Sequence, residues 1–312
     1  MNTIALLDSV HPQFLQICKL HQTEVLDFTK VQPDQLPSYL CGVHAIVIRS
    51  RFLIDKTFID LLPPTVKVIG RYGSGMENID VAYAQSKGIS CVHAPEGNRQ
   101  AVAEHALGML LTLFNHICRA DAQVKCGIWQ RESNRGEELA GKTIGIIGYG
   151  NTGSAFARLL AAFPDTEILV YDKYKSGFSH QNIIESTPTE LQHRADILSL
   201  HIPLTPETHH LINSHWIAAH HKPFFLINTS RGPCVRTPDL VSALTQGKIL
   251  GACLDVLEHE KTSFEGLQSD QHLDYLYQHP RVLITPHIAG WSHQSHIKLA
   301  EILARRILSH LT

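Results

Sequence analysis

One stretch decides the fold: Thr143-Ile144-Gly145-Ile146-Ile147-Gly148-Tyr149-Gly150-Asn151-Thr152-Gly153. It is an apolar run of strand character that ends in the pattern Gly-x-Gly-x-x-Gly and is followed by a helical pattern over residues 154–162. Gly148 permits a tight turn, Gly150 lets the backbone approach a pyrophosphate, and Gly153 lets helix and strand pack closely. Because a helix N-terminus offers N–H groups to an anion, the stretch predicts a dinucleotide-binding turn. The remaining cofactor-binding residues of the turn are Tyr149, Asn151 and Thr152.

A second strand pattern, residues 167–171, ends on Asp172. An acidic side chain there accepts both hydrogen bonds from an adenosine ribose and repels a 2′-phosphate, so NAD is predicted rather than NADP. Lys173 and Lys175 weaken this argument, since they could partly neutralise a phosphate. The alternative, a glycine-rich turn in some other α/β protein, is disfavoured once strand, helix and acid are in register.

Composition limits the partners. The 312 residues exceed the usual single core, so two domains are expected. The 27 basic and 29 acidic side chains give a net charge of -2, which provides no broad field for nucleic acid or an anionic membrane. Neither is therefore expected as a partner.

The cysteines and histidines carry no pattern of their own. Seven cysteines without a C-x-x-C pair indicate a reducing cytoplasm, and the N-terminal apolar run is too short for a signal peptide. The 21 histidines occur mostly singly or in polar pairs, so they are interpreted as surface or packing residues and no metal site is predicted.

In the first ninety or so residues, strand patterns alternate with helical ones, which predicts a doubly wound parallel sheet. No Gly-x-Gly-x-x-Gly occurs there, so this half is not the cofactor half. Open α/β sheets bind ligands at the carboxyl ends of their strands, where this sequence places arginines and a glycine-flanked serine. The candidate substrate-binding residues are Arg49, Arg51, Arg71, Ser74 and Gly75. The alternative for each arginine is a solvated charge at a strand end.

A turn at residues 94–98 and a long apolar helix over 101–119 mark the crossing into a second domain. That helix is expected to lie buried between domains or subunits. The polar arm 125–139 carries Trp129, which either contacts a partner subunit or folds back onto its own domain. The polar segment 263–278 is predicted to be an excursion over the site, and the last helix, 291–311, to return to the first domain. The predicted fold is α/β, with a Rossmann-type dinucleotide-binding domain, 98–289, inserted into a substrate domain, 1–97 and 290–312.

The chain resembles the D-isomer-specific 2-hydroxyacid dehydrogenase family over nearly its whole length, in particular its 3-phosphoglycerate dehydrogenase-like branch. The C-terminal regulatory domain of many such enzymes is expected to be absent. The resemblance rests on seven ordered segments: 70–80, 103–107, 148–153, 201–205, 228–232, 254–256 and 285–290.

The resemblance implies a catalytic triad of Arg231, Glu260 and His287. An imidazole suits proton transfer to a keto acid, a neighbouring carboxylate favours its protonated form, and a guanidinium holds the substrate carboxylate or polarises the carbonyl. Glu260 is followed by Lys261 where the family has proline, so Glu258 is the alternative carboxylate. The implied residues of the cofactor groove are His201, Pro203, Thr229, Ser230 and Asp255, with Asp255 facing the nicotinamide carboxamide.

The implied activity is the NAD-dependent interconversion of a small D-2-hydroxy acid and its 2-keto acid by hydride transfer. A homodimer is also expected. Arg49 and Arg51 resemble the strand-end arginines of 3-phosphoglycerate dehydrogenases, which favours a phosphorylated acid. The alternative is a transcriptional corepressor on the same fold, which binds NAD(H) with little turnover.

Overall fold

The computed structural model describes residues 2–32, 35–260, 266–267 and 270–311. The strands are β1 Thr3–Leu6, β2 Glu24–Asp27, β3 Ala45–Ile48, β4 Val68–Arg71, β5 Ser90–His93, β6 Thr143–Ile147, β7 Glu167–Tyr171, β8 Ile183–Glu185, β9 Ile197–Leu200, β10 Phe224–Asn228, β11 Ile249–Leu254 and β12 Val282–Ile284. The helices are α1 Pro12–Leu20, α2 Leu36–Tyr39, α3 Lys56–Asp60, α4 Val81–Ser86, α5 Arg99–Phe114, α6 Ile117–Lys125, α7 Asn151–Leu160, α8 Pro188–Arg194, α9 Ser214–Ala219, α10 Thr237–Thr245, α11 Gln271–Gln278 and α12 His293–Leu311.

The chain forms two compact units. Unit 1 contains the described parts of Met1–Arg99 and Trp291–Thr312, and unit 2 those of Gln100–Lys261 and Gly266–Gly290. Each unit contains one sheet whose strands all run parallel. The prediction of two doubly wound parallel sheets is confirmed.

Unit 1 has the strand order β2-β1-β3-β4-β5. Its central strand β3 is buried at every residue, as expected for a strand covered on both faces. The covering helices include α12, which packs on α1, β4 and β5. A Cβ at Gly70 would lie 2.5 Å from Cδ1 of Ile307, so glycine in β4 allows α12 its close approach to the sheet.

Unit 2 has the strand order β12-β11-β10-β9-β6-β7-β8. The order reverses at β6, which pairs with β9 on one side and β7 on the other. In open α/β sheets such a switch point places the ligand crevice at the carboxyl ends of the strands. One face of the sheet is covered by a core that contains Phe114, Phe156 and Phe225.

The long helix predicted over residues 101–119 is two helices. His116 adopts a left-handed backbone conformation, with φ 53, and separates α5 from α6. Seven residues of α5 are buried, whereas α6 buries none of its nine residues. The apolar pattern therefore predicted a helix correctly at α5 and was wrong about its continuation.

The polar segment 263–278 contains a helix that the sequence interpretation missed. Asp270 caps α11 by accepting a hydrogen bond from the His272 N–H, and Leu273 and Leu276 are buried at helical spacing. The rest of the predicted excursion falls partly on 263–265 and 268–269, which lie outside the described residues.

Within the part of the chain that the structure describes, no single helix has the length and apolar composition needed to cross a bilayer. The bent pair α5 and α6 meets those two criteria only when taken together.

Candidate active site

The carboxyl ends of six neighbouring strands are aligned in unit 2. Strand pairing places these last residues side by side: Tyr171, Ile147, Leu200, Asn228, Leu254 and Ile284. The predicted catalytic and cofactor-binding residues follow directly from these strand ends. The sheet therefore brings them to one edge.

The glycine turn after β6 has the geometry that its sequence predicts. Gly148 has φ 97, and a Cβ there would lie 2.3 Å from the carbonyl oxygen of His201. A Cβ at Gly153 would lie 1.9 Å from the carbonyl oxygen of Gly148. Since both clashes involve backbone atoms, no larger residue fits at either position without moving the turn.

Gly150 is the N-cap of α7, and no described atom lies within 4 Å of the position that its Cβ would take. As a glycine it has no side chain that could cap the helix, so N–H groups of the first turn of α7 are available to a phosphate. Beside the turn, the ring of Tyr149 stacks on Phe178 with centroids 4.3 Å apart. These features fit the pyrophosphate of a dinucleotide.

Asp172 is held by backbone N–H groups. Its Oδ2 accepts a hydrogen bond from the Tyr149 N–H at 2.6 Å, and its Oδ1 accepts from Tyr174 and Lys175 at 2.9 and 3.0 Å. The nearby lysines are also engaged: Lys173 pairs with Glu207, and Lys175 Nζ donates to the carbonyl oxygen of Tyr149 at 2.9 Å. The acid therefore has a fixed place beside the glycine turn.

Two buried polar atoms lie at the ends of β9 and β10. His201 Nδ1 and Thr229 Oγ1 have no hydrogen-bond partner among the described residues. Burial lowers the pKa of His201 to about 3, so its ring is neutral near pH 7. Unpaired buried polar atoms are costly, and a bound dinucleotide is a suitable partner for both. Pro203 is exposed, whereas Ser230 is buried and donates to Oδ1 of Asn228 at 2.8 Å.

His287 lies in the turn after β12 and pairs with Glu260. Its Nδ1 is 2.7 Å from Glu260 Oε2, and Glu260 Oε1 accepts a hydrogen bond from the Leu257 N–H at 2.7 Å. The two side chains are 25% and 15% exposed, so the pair is only partly screened by solvent. His287 has φ 56, a left-handed conformation that is strained for a residue other than glycine.

Asp255 fixes the turn that carries His287. Its Oδ1 accepts hydrogen bonds from Thr285 Oγ1 and the Ile288 N–H, and its Oδ2 accepts from the Ala289 N–H, at 2.6 to 2.8 Å. The His287 N–H in turn donates to the Asp255 carbonyl oxygen at 2.8 Å. A buried carboxylate with several donors thus holds His287 in its strained conformation.

The alternative carboxylate, Glu258, points to other partners. Its Oε1 is 2.5 Å from Nε2 of His210, and its Oε2 accepts a hydrogen bond from the Thr237 N–H at 2.7 Å. Of the two carboxylates, the structure brings Glu260 to His287.

Arg231 follows β10 on the same edge of the sheet. Arg231 Nη1 donates a hydrogen bond to the carbonyl oxygen of Ser230 at 2.7 Å. The side-chain N–H of Asn228 donates to the carbonyl oxygen of Arg231 at 3.0 Å. A Cβ at Gly232 would lie 1.9 Å from the carbonyl oxygen of Leu257. The backbone beside Arg231 therefore contacts the segment that leads to Glu260.

The predicted substrate-binding residues lie at the ends of β3 and β4, which are neighbours in the sheet of unit 1. Arg51 is engaged within the unit: its guanidinium donates to the carbonyl oxygens of Thr29 and Val31 and lies 3.7 Å from Asp8. The Asp8 carboxylate also accepts the Arg49 N–H at 2.6 Å. Arg51 thus supports the strand ends.

The Arg49 guanidinium lies over the ring of Trp291, 3.9 Å from its centroid. Trp291 in turn packs edge to face against His296 at 4.6 Å. Burial, with Arg49 nearby, lowers the pKa of His296. Sequence interpretation missed Trp291, whose only signal was an aromatic residue at the start of the last helical pattern.

At the end of β4, Arg71 Nη1 lies 3.4 Å from the Tyr72 carbonyl oxygen. A Cβ at Gly73 would clash with the Arg71 guanidinium. The Ser74 carbonyl oxygen accepts a hydrogen bond from His93 Nδ1 at 2.6 Å. Ser74 and Gly75 are half-buried. Across the described ranges of both units, no group of three or more histidine, cysteine and acidic residues could hold a metal ion.

Comparison with known proteins assigns a family. The family model "D-isomer specific 2-hydroxyacid dehydrogenase, NAD binding domain" matches residues 107–289. A glyoxylate reductase from Thermofilum pendens is 37% identical over 265 residues, covering 83% of this chain and 75% of that protein. A putative D-3-phosphoglycerate dehydrogenase from Schizosaccharomyces pombe is 34% identical over 320 residues, covering 97% and 67%. The crystal structure of a D-lactate dehydrogenase from Aquifex aeolicus, complexed with NAD and lactic acid, is 30% identical with a TM-score of 0.83, covering 99% and 95%.

The chain belongs to the D-isomer specific 2-hydroxyacid dehydrogenases, a family of NAD-dependent enzymes that act on CH–OH groups. The enzyme class and the cofactor predicted from the sequence are thereby confirmed. The three similar proteins are named for different substrates, so membership gives the reaction and not the acid.

Proposed function

We propose that this enzyme interconverts a D-2-hydroxy acid and its 2-keto acid, with His287 as general acid and base, Glu260 as its partner and Arg231 as the substrate anchor. The contact of 2.7 Å between His287 Nδ1 and Glu260 Oε2 supports this proposal most directly. A histidine paired with a carboxylate is suited to exchanging a proton near neutral pH.

Bound NAD supplies the hydride acceptor, and NADH the donor. Because His287 Nδ1 donates to Glu260, Nε2 is the nitrogen that exchanges a proton with the substrate oxygen. During oxidation Nε2 takes the hydroxyl proton, and during reduction it returns a proton to the carbonyl oxygen. Glu260 stabilises the imidazolium form and fixes the ring orientation.

The Arg231 guanidinium offers a planar fork that can bind a carboxylate through two parallel hydrogen bonds. Such a contact orients the C2 atom of the substrate and polarises its carbonyl. A lysine at this position would provide a point charge without the fork.

The experiment follows NADH oxidation with a panel of 2-keto acids for the wild type and for His287→Gln. We expect His287→Gln to lower kcat by roughly 10²–10⁴-fold, the effect of losing a general acid, while NADH fluorescence titrations give an unchanged Kd. Exposed His215 on α9 provides the control, as His215→Gln should keep wild-type kcat. Full turnover by His287→Gln would show that the acid and base is another group.

We further propose that the substrate carries a second anionic group, as 3-phosphoglycerate does. The support is the Arg49 guanidinium on Trp291, together with Arg71 and the Gly73 to Gly75 backbone at the neighbouring strand end. With a net charge of -2, the protein offers a dianion little general attraction, so local cations have to provide it.

A homodimer is also proposed. Four apolar side chains on and after α6 are 43% to 79% exposed: Ile117, Val124, Ile128 and Trp129. The arm is tied to α6 by Asn134, which contacts Arg119 and Gln123, and leaves Trp129 79% exposed rather than folded back. Sedimentation velocity should show a dimer that Trp129→Ser weakens and Tyr277→Ser on α11 does not. A monomeric wild type would refute the proposal.

A further inference from the structure

A second histidine–glutamate pair lies close in sequence to the carboxylate of the triad. His210 Nε2 is 2.5 Å from Glu258 Oε1, and the Thr237 N–H at the start of α10 donates to Glu258 Oε2 at 2.7 Å. Both Glu258 oxygens are therefore engaged, and the Glu258 side chain is only 14% exposed. No step of the mechanism above uses this pair.

Protonation of the pair follows from its contacts. Burial raises the pKa of Glu258, but hydrogen bonds from Thr237 and His210 outweigh that effect and hold the pKa below its usual value. Glu258 is thus a carboxylate near neutral pH, so Nε2 of His210 is the donor. Charge-assisted hydrogen bonds of this kind are short and comparatively strong.

The backbone of His210 is fixed as well. Its N–H donates to the Pro233 carbonyl oxygen at 2.7 Å, and its own carbonyl oxygen accepts from the Asn213 side chain at 2.9 Å. Its φ of 53 is left-handed. Pro233 is close to Arg231 in sequence. His210 therefore contacts the segment after Arg231 through its backbone, and it contacts Glu258 through its ring.

Glu258 and Glu260 lie on one turn, residues 257–260. The Leu257 N–H donates to Glu260 Oε1 at 2.7 Å, and the Glu260 N–H donates to the Leu257 carbonyl oxygen at 3.3 Å. Leu257 is pressed against Gly232, where any Cβ would lie 1.9 Å from its carbonyl oxygen. The turn therefore contacts Gly232 through Leu257, and it contacts His210 and Thr237 through the Glu258 side chain.

We propose that His210 is a positioning residue: by holding Glu258, it fixes the turn from which Glu260 reaches His287. This inference rests on the proposed function of the His287–Glu260 pair. Displacement of a catalytic group by about 1 Å can cost roughly a hundredfold in rate. Loss of the contact between His210 and Glu258 should therefore have a measurable effect on turnover.

The test compares His210→Ala, His210→Gln and the exposed control His215→Ala. In His210→Ala we expect kcat for keto-acid reduction to fall about tenfold or more, with KM for the keto acid changed less than about twofold. His210→Gln should restore most of kcat, because the glutamine side-chain N–H can donate to Glu258. His215→Ala should match the wild type.

A second readout needs neither substrate nor NADH. The His287 ring signals, assigned in NMR spectra by their loss in His287→Gln, are recorded for each variant. Glu260 contacts the His287 ring, and Asp255 contacts the turn that carries it. If His210 no longer holds Glu258 and Glu260 moves, the ¹⁵N chemical shift of His287 Nδ1 should differ between His210→Ala and the wild type, because its hydrogen bond to Glu260 changes.

The outcomes separate the two proposals. A wild type that reduces no 2-keto acid refutes the proposed function, and the NMR comparison still decides the role of His210. An unchanged Nδ1 chemical shift of His287 in His210→Ala overturns the inference, whether kcat stays at the wild-type value or falls through a general loss of stability. A changed chemical shift that His210→Gln restores supports it.

Discussion

The strand ends of the two units hold their functional groups in different ways. In unit 2 the acidic groups are bound by backbone N–H groups: Asp172 accepts three and Asp255 two. In unit 1 the guanidinium groups of Arg49 and Arg51 lie on an aromatic ring and on carbonyl oxygens. Backbone N–H groups fix a carboxylate tightly, whereas long cationic side chains keep rotamer freedom. Unit 2 therefore holds its acidic groups rigidly, whereas the Arg49 guanidinium of unit 1 lies on a ring and is the more adaptable group.

The largest effect should come from breaking the rigid side of this comparison with Gly153→Ala. The new Cβ would lie 1.9 Å from a backbone oxygen, so the turn has to move. We expect the free energy of unfolding to fall by about 3 kcal/mol, as in overpacked cores, and NADH affinity to be lost. Gly150→Ala is the matched control for stability alone, because apart from its chain neighbours no described atom lies within 4 Å of its Cβ position. Chemical unfolding measures the stability of both variants, NADH fluorescence measures the affinity of Gly153→Ala, and equal losses of stability in the two variants would contradict this expectation.

On the adaptable side, Arg49→Ala should lower kcat/KM for 3-phosphoglycerate by about thirtyfold, or about 2 kcal/mol, through loss of one charge-assisted contact. The loss for D-glycerate should be several times smaller. Arg51→Ala is the comparison, since its guanidinium is engaged by Thr29 and Val31 and its loss should affect both acids alike. If Arg49→Ala lowers kcat/KM for the two acids equally, as Arg51→Ala is expected to do, Arg49 binds no second anionic group of the substrate.

Two buried histidines should make the stability of unit 2 sensitive to acid. Burial lowers the pKa of His201 to about 3 and that of His220 to about 4. Above pH 6.5 both are neutral whether folded or unfolded, and below it only the unfolded chain binds the protons. Stability should therefore fall as pH drops from 6.5 toward 4, by about 1.4 kcal/mol per pH unit for each histidine.

Urea unfolding between pH 7 and pH 5 measures this slope. His220→Phe should make it shallower, since phenylalanine can stack on Phe224 as the imidazole does and does not titrate. The exposed variant His215→Phe on α9 should leave the slope unchanged. An identical slope in all three proteins would show that His220 takes up its proton in the folded state.

The smallest expected effect concerns cofactor choice at the edge of the glycine turn. Glu207 pairs with Lys173, so Glu207→Gln should free that lysine for a 2′-phosphate. Because exposed ion pairs are weak, the NADP to NAD ratio of kcat/KM should rise only about two- to threefold. Glu132→Gln, which breaks an exposed pair with Arg135, is the control. A ratio that does not move would mean that Glu207 has no part in excluding NADP.

The sequence alone was sufficient to predict a site residue wherever the backbone conformation permits only one residue type. Gly148 and Gly153 have to be glycines because of a positive φ or a contact with a carbonyl oxygen, so the turn could be predicted from its spacing. The choice between Glu258 and Glu260 could not be made that way. The two are close in sequence on one turn, and only the tertiary contacts with Thr237 and His287 distinguish them.

Two other features were hidden for related reasons. The break at His116 has no glycine or proline beside it, and Asn115 is the one weak local sign that the helix ends there. The stacking of Arg49 on Trp291 joins residues from opposite ends of the chain, and periodicity carries no information about such pairs.

The packing of α12 on the first sheet has a consequence for biosynthesis. The Asn2 side chain donates to the carbonyl oxygen of Leu311 at 3.0 Å, and Gly70 receives Ile307. The first five strands leave the ribosome long before the helix that covers them. Until synthesis reaches that helix, the apolar face of β4 has no cover from it, so the nascent chain is exposed to premature association. A chaperone that binds short apolar strands would meet its target in this interval.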